Sequence, residues 1–206
     1  MFVKNWMSEN VVTVFPDTLL STAADIISTK NIKHLPVINS ENILKGIVTS
    51  SDIRKAFGKN ASTENIRVDE IMSYTPITIS EYDTLDDALL LIYQNMIGAL
   101  PVIDSSFSLL GIIARYDILR AMVKIMSLEE VGSRIDVVLE DKPGMLEELA
   151  IQFKQMDINI ISIMTVHAEN NSRIVSVRID SIFKKKVQNH LIAEGFKIYE
   201  PWKEDI

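Results

Sequence analysis

Sliding the 206-residue sequence along itself by 65 positions brings much of its first half into register with the middle of the chain. Val3 meets Val68, Met7 meets Met72, Ser8 meets Ser73, Thr13 meets Thr78, Leu20 meets Leu85 and Ala23 meets Ala88. The match then tightens. Ile32, Leu35, Pro36, Val37 and Ile38 fall on Ile97, Leu100, Pro101, Val102 and Ile103, and Leu44, Gly46, Asp52, Ile53 and Ala56 fall on Leu109, Gly111, Asp117, Ile118 and Ala121. A gapless register of this extent marks a tandem repeat, residues 3–56 and 68–121, joined by the polar stretch 58–65. A unit of about 55 residues buries only part of the surface it exposes, so the two copies are expected to pack face to face about a pseudo-twofold axis.

Within each copy the patterns predict a short strand (residues 11–14 and 77–79), a helix (19–30 and 85–95), two strands and a second helix. Asp17-Thr18 and Asp83-Thr84 supply N-cap candidates for the first helix, and Leu20, Ala23, Ile26 and Ile27 recur at helical spacing, as do Leu85, Ala88, Leu89 and Ile92. The early proline of Leu35-Pro36-Val37-Ile38 suits a strand start or a sheet edge. Met7, Met72, Met96, Met122 and Met126 read as packing residues.

The second strand runs into Gly46-Ile47-Val48-Thr49-Ser50-Ser51-Asp52, matched by Gly111-Ile112-Ile113-Ala114-Arg115-Tyr116-Asp117. Glycine followed by β-branched residues makes a buried strand, and Thr/Ser-x-x-Asp is helix-capping vocabulary, so each copy turns a strand-to-helix corner. Such a corner points free N–H groups and a positive helix end at solvent, where a phosphate can sit, while its carboxylate can accept bonds from a sugar diol. Asp52 and Asp117 have a plainer reading as caps of their own helices.

This β-α-β-β-α pattern, with its Leu-Pro-Val segment and Gly-h-h-Thr/Ser-x-x-Asp corner (h apolar) in two registered copies, resembles the CBS domain pair, or Bateman module, over about 120 residues. The resemblance implies an α+β fold with a first CBS unit at residues 1–57, a linker at 58–66 and a second CBS unit at 67–126, packed as a pseudo-twofold pair. It implies clefts for adenosine-containing regulatory ligands (AMP, ADP, ATP or S-adenosylmethionine), with no required cofactor and no metal. The first cleft is expected to use His34, Ile47, Thr49 and Asp52 with Ser73, Thr78, Ile97 and Gly98 from the other unit: Asp52 on the ribose hydroxyls, Thr49 on sugar or phosphate, His34 toward the phosphate, and Gly98 letting backbone approach the base. The second, weaker cleft is expected to use Ser8, Thr13, Ile32 and Lys33 with Ile112, Arg115 and Asp117; there Ala114 and Ala99 replace the hydroxyl and the imidazole.

The offset-65 match ends at Ala121, and after a linker at residues 127–133 a different pattern occupies 134–206. A half-buried strand (134–140), the turn Asp141-Lys142-Pro143-Gly144, an amphipathic helix (145–156), a strand (163–166), an Asn170-Asn171 hairpin, its partner strand (173–179), a helix (183–193) stopped by Gly195 and a last strand (196–199) give β-α-β-β-α-β, a ferredoxin-like unit. Asp141-Lys142-Pro143-Gly144-Met145-Leu146 followed by Asp157-Ile158-Asn159-Ile160 resembles the D-x-P-G-x-L and G-I-N-I signature of the ACT domain, with Asp157 replacing the usual glycine. That resemblance implies assembly into a homodimer or larger oligomer, or an amino-acid effector whose carboxylate meets the helix opened by Gly144, in a loop comprising Asp141, Pro143, Gly144, Met145 and Leu146. Two CBS units followed by one ACT domain resemble the acetoin-utilisation accessory protein (AcuB) family.

Composition narrows the function classes. A net charge of −7 argues against nonspecific nucleic-acid binding, and Lys184-Lys185-Lys186 reads as a solvated helix face. No apolar run approaches the roughly 20 residues of a membrane span. With no cysteine and no signal-like start the cytoplasm is the expected compartment. Nucleophile-elbow, P-loop, zincin and dinucleotide motifs are all missing, and His34, His167 and His190 fall in separate elements, so no enzyme is expected. The chain reads as a non-catalytic sensor answering to a protein partner the sequence does not identify; the alternative is an adaptor whose clefts are vestigial.

Overall fold

The computed structural model describes residues 1–59, 65–168 and 171–201, and the chain divides into two compact units, residues 1–121 and 122–206. Most of the expected linker between repeats, at 60–64, and Asn170 of the expected hairpin lie outside the described residues.

In the first unit, α1 (Leu20–Lys30), β1 (His34–Ile38), β2 (Leu44–Thr49) and α2 (Ser50–Lys59) are followed by β3 (Ile79–Ser80), α3 (Leu85–Gln94), β4 (Ala99–Ile103), β5 (Leu109–Ala114) and the start of α4 (Arg115–Ile125), whose last residues belong to the second unit. The two hairpins repeat each other closely. β1 pairs with β2 from His34↔Thr49, and β4 with β5 from Ala99↔Ala114, with register shifts at the equivalent steps Val37/Ile38 and Val102/Ile103.

The strand expected at residues 11–14 shrinks to a single parallel bridge, Val14↔Val37, and its copy to the two residues of β3. Pro36 and Pro101 explain this. Val14 donates to the Pro36 carbonyl (3.1 Å) and Ile38 donates to the Val14 carbonyl (3.0 Å). One step further toward the N-terminus the ladder would need the N–H of residue 36, which proline lacks, so it stops there. Pro101 therefore does not mark an edge strand: β4 is central in the sheet β3-β4-β5.

A second correction concerns α1. Its N-cap is Leu19, with no side-chain cap, whereas α3 has the expected Thr84, whose hydroxyl accepts from Asp87 N–H in a capping box. The Thr18 hydroxyl is turned to Phe15 N–H (3.0 Å), and Leu20 N–H donates instead to the Ile66 carbonyl of the other repeat (2.8 Å).

That bond belongs to a reciprocal exchange. Val3 and Lys4 donate to the carbonyls of Asp83 and Glu81, and Val68 and Asp69 donate to those of Thr18 and Pro16, which are the same two bonds displaced by 65. The opening turn of each repeat thus lies on the other, and Val68 and Met72 complete the buried core of Leu20, Leu35, Val37, Val48 and Ile53. Ile43 bridges its own equivalent, Ser108, so the pseudo-twofold axis passes between them. Met72 packs as expected, but Met96 does not: it has φ 53° and is 87% exposed. Following α3, whose C-cap is Asn95, this left-handed turn reverses the chain and throws the side chain outward.

The second unit contains β6 (Ser133–Glu140), α5 (Met145–Gln155), β7 (Ile160–Ala168), β8 (Ser172–Ile179), α6 (Lys184–Ala193) and β9 (Lys197–Ile198). Its antiparallel sheet has the order β7-β8-β6-β9, the split β-α-β topology of a ferredoxin-like unit. Ile135, Val137 and Leu139 of β6 and Val175, Val177 and Ile179 of β8 meet Leu149 and Phe153 of α5 and Val187 and Leu191 of α6 in one core. β7 is longer than its apolar alternation suggested and β9 shorter. Lys184, Lys185 and Lys186 are exposed. Among the described residues no helix is long and apolar enough to cross a membrane.

Candidate functional site

The first corner is a reciprocal cap. The Thr49 hydroxyl accepts from Asp52 N–H (3.2 Å) and donates to Asp52 Oδ2 (2.6 Å), which also accepts from Thr49 N–H (3.0 Å). One carboxylate oxygen is therefore committed to opening α2, while Oδ1 takes no bond among the described residues. The capping reading of Asp52 holds, and it leaves half of the carboxylate available.

The other repeat closes over this corner. Ile47 and Ser73 exchange both backbone bonds, at 3.0 and 2.9 Å. Gly46 makes that approach feasible: a Cβ there would stand 2.6 Å from the Ser73 carbonyl oxygen. From the opposite side Gly98 abuts His34, so that a methyl on Gly98 would run into the imidazole. The close approach Gly98 permits is thus made here by the imidazole, where the sequence suggested a base. His34, Ile47, Thr49, Asp52, Ser73 and Gly98 are thus brought together at the first corner. Thr78 immediately precedes β3, and the Ile97 N–H is held by the Ile92 carbonyl (3.2 Å); neither bonds the corner directly among the described residues.

Burial holds the His34 imidazole below its ordinary pKa, reinforced by Arg115 and then Lys33 and opposed by Asp52. The imidazole is thereby held toward its uncharged form.

The second corner uses its aspartate up. Ala114 N–H donates to Asp117 Oδ2 (2.9 Å), Arg120 pairs with Oδ1 (3.2 Å), and Asp117 is 8% exposed. Arg120 also reaches the Trp6 carbonyl (3.4 Å). Ser8 and Ile112 exchange backbone bonds as Ser73 and Ile47 do. Lys33 accepts Ser50 N–H (2.9 Å) and Gly98 accepts Arg115 N–H (3.1 Å) through their carbonyls. Thr13 directly precedes the Val14 bridge, and the Ile32 N–H is held by the Ile27 carbonyl (3.1 Å). Sequence reasoning missed Arg120, for which the repeat carried a signal: its counterpart is Lys55, three residues after Asp52.

In the second unit Gly144 is the N-cap of α5 at φ 93°, as a tight helix start requires. Arg173 bonds Asp141 (2.7 Å) and holds its carboxyl below the usual range. Pro143 forms the turn, and Met145 and Leu146 open the helix, with Glu147 and Glu148 in its first turn. A concavity of about 220 Å³ beside this loop is lined by Glu140, Met145, Glu148 and Glu194 among others. Lys197 lines it too, and Glu140 pairs with Lys142 (2.6 Å), so the concavity is weakly acidic. A larger open concavity of about 540 Å³ lies at the other end of α5, by Lys154, Asp157 and Asp180.

A family model described as the CBS domain matches residues 3–59 and again residues 68–124. A CBS domain-containing protein of Dictyostelium discoideum is 31% identical over 136 residues, covering 61% of this chain and 94% of that one. Homoserine O-acetyltransferase of Methanococcus vannielii is 32% identical over 116 residues, which are 56% of this chain but 24% of that enzyme, so the chain spans about a quarter of its length. Among solved structures, a CBS domain pair in complex with 5′-methylthioadenosine and S-adenosyl-L-methionine has a TM-score of 0.56 at 31% identity, covering 60% of this chain and 97% of that one. CBSX2 of Arabidopsis thaliana, solved with AMP, has a TM-score of 0.54 at 27% identity, covering 60% and 97%. An AcuB-type acetoin utilization protein of Vibrio cholerae, at 22% identity and a TM-score of 0.57 over 63% of this chain and 95% of that one, shares the fold.

Proposed function

Because the chain belongs to the CBS-domain family, we propose that residues 1–121 are a non-catalytic regulatory module that binds one adenosine-containing ligand in the first cleft. The observation that carries this reading is the Thr49–Asp52 cap, which fixes one carboxylate oxygen and leaves the other without a bond among the described residues, beside a helix start and two residues from the Ile47–Ser73 contact. Ribose hydroxyls donate to Asp52, and Thr49 and His34 complete the polar lining. Complexes of similar CBS pairs with AMP and with S-adenosyl-L-methionine support the ligand class. The second cleft is empty in function, its aspartate being satisfied by Ala114 and Arg120; for that half of the module the adaptor reading applies.

The second unit acts as an ACT-like assembly domain. Its β-α-β-β-α-β order and the Asp141-to-Leu146 loop support this, as does β7, the outer strand of the sheet among the described residues, on which Val166 is 64% exposed. Glu148 and Glu194, set against Lys197 beside the start of α5, favour assembly over an amino-acid effector. Binding in the first unit then shifts a conformational equilibrium read by a partner protein, for which a coupling of about 1–3 kcal/mol suffices.

Calorimetry with AMP, ATP and S-adenosylmethionine tests the proposal. About one site per chain is expected, weakened at least about tenfold by Asp52→Asn, which keeps a capping oxygen but loses the charged acceptor, and unchanged by Asp117→Asn. Equal sensitivity to the two substitutions, or no heat with any adenosine compound, refutes it. Light scattering at several concentrations tests assembly, and a monomer throughout removes that part of the reading.

A further inference from the structure

The two repeats exchange their opening turns through equivalent backbone bonds, but the side chains on the two seams are not equivalent. Along the seam beside the second corner, Leu85, Val3 and Lys4 donate to the carbonyls of Met1, Asp83 and Glu81, and Ser8 exchanges bonds with Ile112. Lys4 Nζ also pairs with Glu81 (2.8 Å) and stands 5.7 Å over the Tyr82 ring, while Arg120, paired with Asp117, donates to the Trp6 carbonyl (3.4 Å). The bond between them raises the Lys4 pKa and lowers that of Glu81. Along the seam beside the first corner, Leu20, Val68 and Asp69 donate to the carbonyls of Ile66, Thr18 and Pro16, and Ser73 exchanges bonds with Ile47. Here the residues equivalent to Lys4, Glu81, Tyr82 and Arg120 are Asp69, Pro16, Asp17 and Lys55. Among the described residues, no ion pair or side-chain hydrogen bond joins residues 66–74 to the first repeat, and Asp69 Oδ1 is buried without a partner.

One seam is therefore held by backbone and side chains together, the other by backbone alone, with an unsatisfied carboxylate oxygen that weakens it. Ion pairs and cation–π contacts at partly exposed sites are individually small, but opening one seam breaks only the few bonds of that seam, so small differences decide which opens. We propose that the repeats form a one-ended hinge, in which the seam of residues 1–8 stays closed while the seam of residues 66–73 opens and closes beside the first corner. The moving end carries Ser73 toward and away from Ile47, two residues before the Thr49 of the Asp52 cap. For its ligand the hinge rests on the adenosine reading above: binding at the first corner closes the loose seam, and Lys4, Glu81 and Arg120 fix which end moves.

Hydrogen exchange on the full chain tests this at amide pairs 65 residues apart. Without ligand, the protection factors of Ile47 and Ser73 should fall about threefold to tenfold below those of Ile112 and Ser8. Lys4→Met combined with Arg120→Gln should bring the two seams to within about twofold, with unchanged protection in the β1–β2 and β4–β5 hairpins reporting an intact fold; Lys4→Arg, which keeps the charge, should preserve the difference. Equal protection of the two seams in the wild-type chain overturns the proposal, as does a difference that survives the double substitution. Saturation with AMP should raise the protection of Ile47 and Ser73 at least about threefold and leave Ile112 and Ser8 unchanged, and equal protection gained at both seams overturns the hinge. An AMP titration without heat refutes the adenosine reading instead, while the ligand-free difference between the seams still decides the hinge.

Discussion

Gly46→Ala puts the contact between the repeats to a quantitative test. The new Cβ would lie 2.6 Å from the Ser73 carbonyl oxygen and 2.8 Å from Met72 Sδ. The thioether can swing away, but the carbonyl belongs to backbone and must retreat by about 0.8 Å to reach ordinary van der Waals distance. The same carbonyl accepts Ile47 N–H at 3.0 Å, and Ser73 N–H donates back at 2.9 Å, so the retreat stretches both bonds. Overpacking of this kind costs about 1–3 kcal/mol, and weakening two bonds each worth about 0.5–1.5 kcal/mol brings the expected loss to about 2–4 kcal/mol. Gly111→Ala is the internal control. Its Cβ meets Met7 Sδ at 2.8 Å and the Ser8 carbonyl at 3.0 Å, a shortfall of about half the size, for an expected loss of about 1–2 kcal/mol. Urea unfolding followed by Trp6 fluorescence in a Trp202→Phe background reads the first unit alone, since the chain has two tryptophans. A Gly46→Ala chain within about 0.5 kcal/mol of its parent, or a larger loss in Gly111→Ala, refutes the reasoning.

Thr49→Ala should cost about 1 kcal/mol of first-unit stability by deleting the hydroxyl half of the cap, while Ala114→Thr should return some of it at the second corner; opposite signs in paired urea titrations are the check. Phe153→Ala should lower the stability of the second unit by about 3–5 kcal/mol, and hydrogen exchange should show the loss confined to residues 122–206. His34 gives a pH signature. Its folded pKa is below the unfolded value, so the unfolded chain binds more protons and His34 favours folding above the ordinary histidine range; that contribution falls away on acidification through the unfolded pKa toward the depressed folded one. The difference in unfolding free energy between wild type and His34→Gln should therefore shrink as pH falls from about 7.5 toward about 5.5, and a difference that grows over that interval contradicts it.

Most of the fold could be read from the chain because two periodic signals agreed. The offset of 65 fixed the pairing of the hairpins, and the Asp141-to-Gly144 turn and Gly195 punctuated the second unit correctly. What escaped the sequence was set by partners distant along the chain. Nothing local to Leu19 says that Ile66 will satisfy the N–H of Leu20 and leave Thr18 free to turn elsewhere. The brevity of the first strand could have been predicted, since Pro36 stands where a parallel ladder needs a donor, but only once residues 11–14 were known to pair with β1. At the site, the corners were visible as motifs and their inequality was visible at Ala114 and Ala99. The pairing of Asp117 with Arg120 was not, because a side chain one turn along a helix carries no motif of its own.

The reciprocal placement of residues 3–4 and 68–69 bears on how such a molecule can be divided. A cut between the repeats would not release two finished domains, because the first would lack Val68 and Met72 from its own interior. Each fragment would carry the complement to the other, and two copies of a single fragment could satisfy the same bonds between molecules that the intact chain satisfies within itself. The peptide connecting the halves then serves as a concentration device: it replaces a bimolecular encounter with an effective concentration on the order of millimolar, and fixes a one-to-one pairing of unlike halves. Under that enforced pairing the two corners are free to differ, as Thr49 and Ala114 already do.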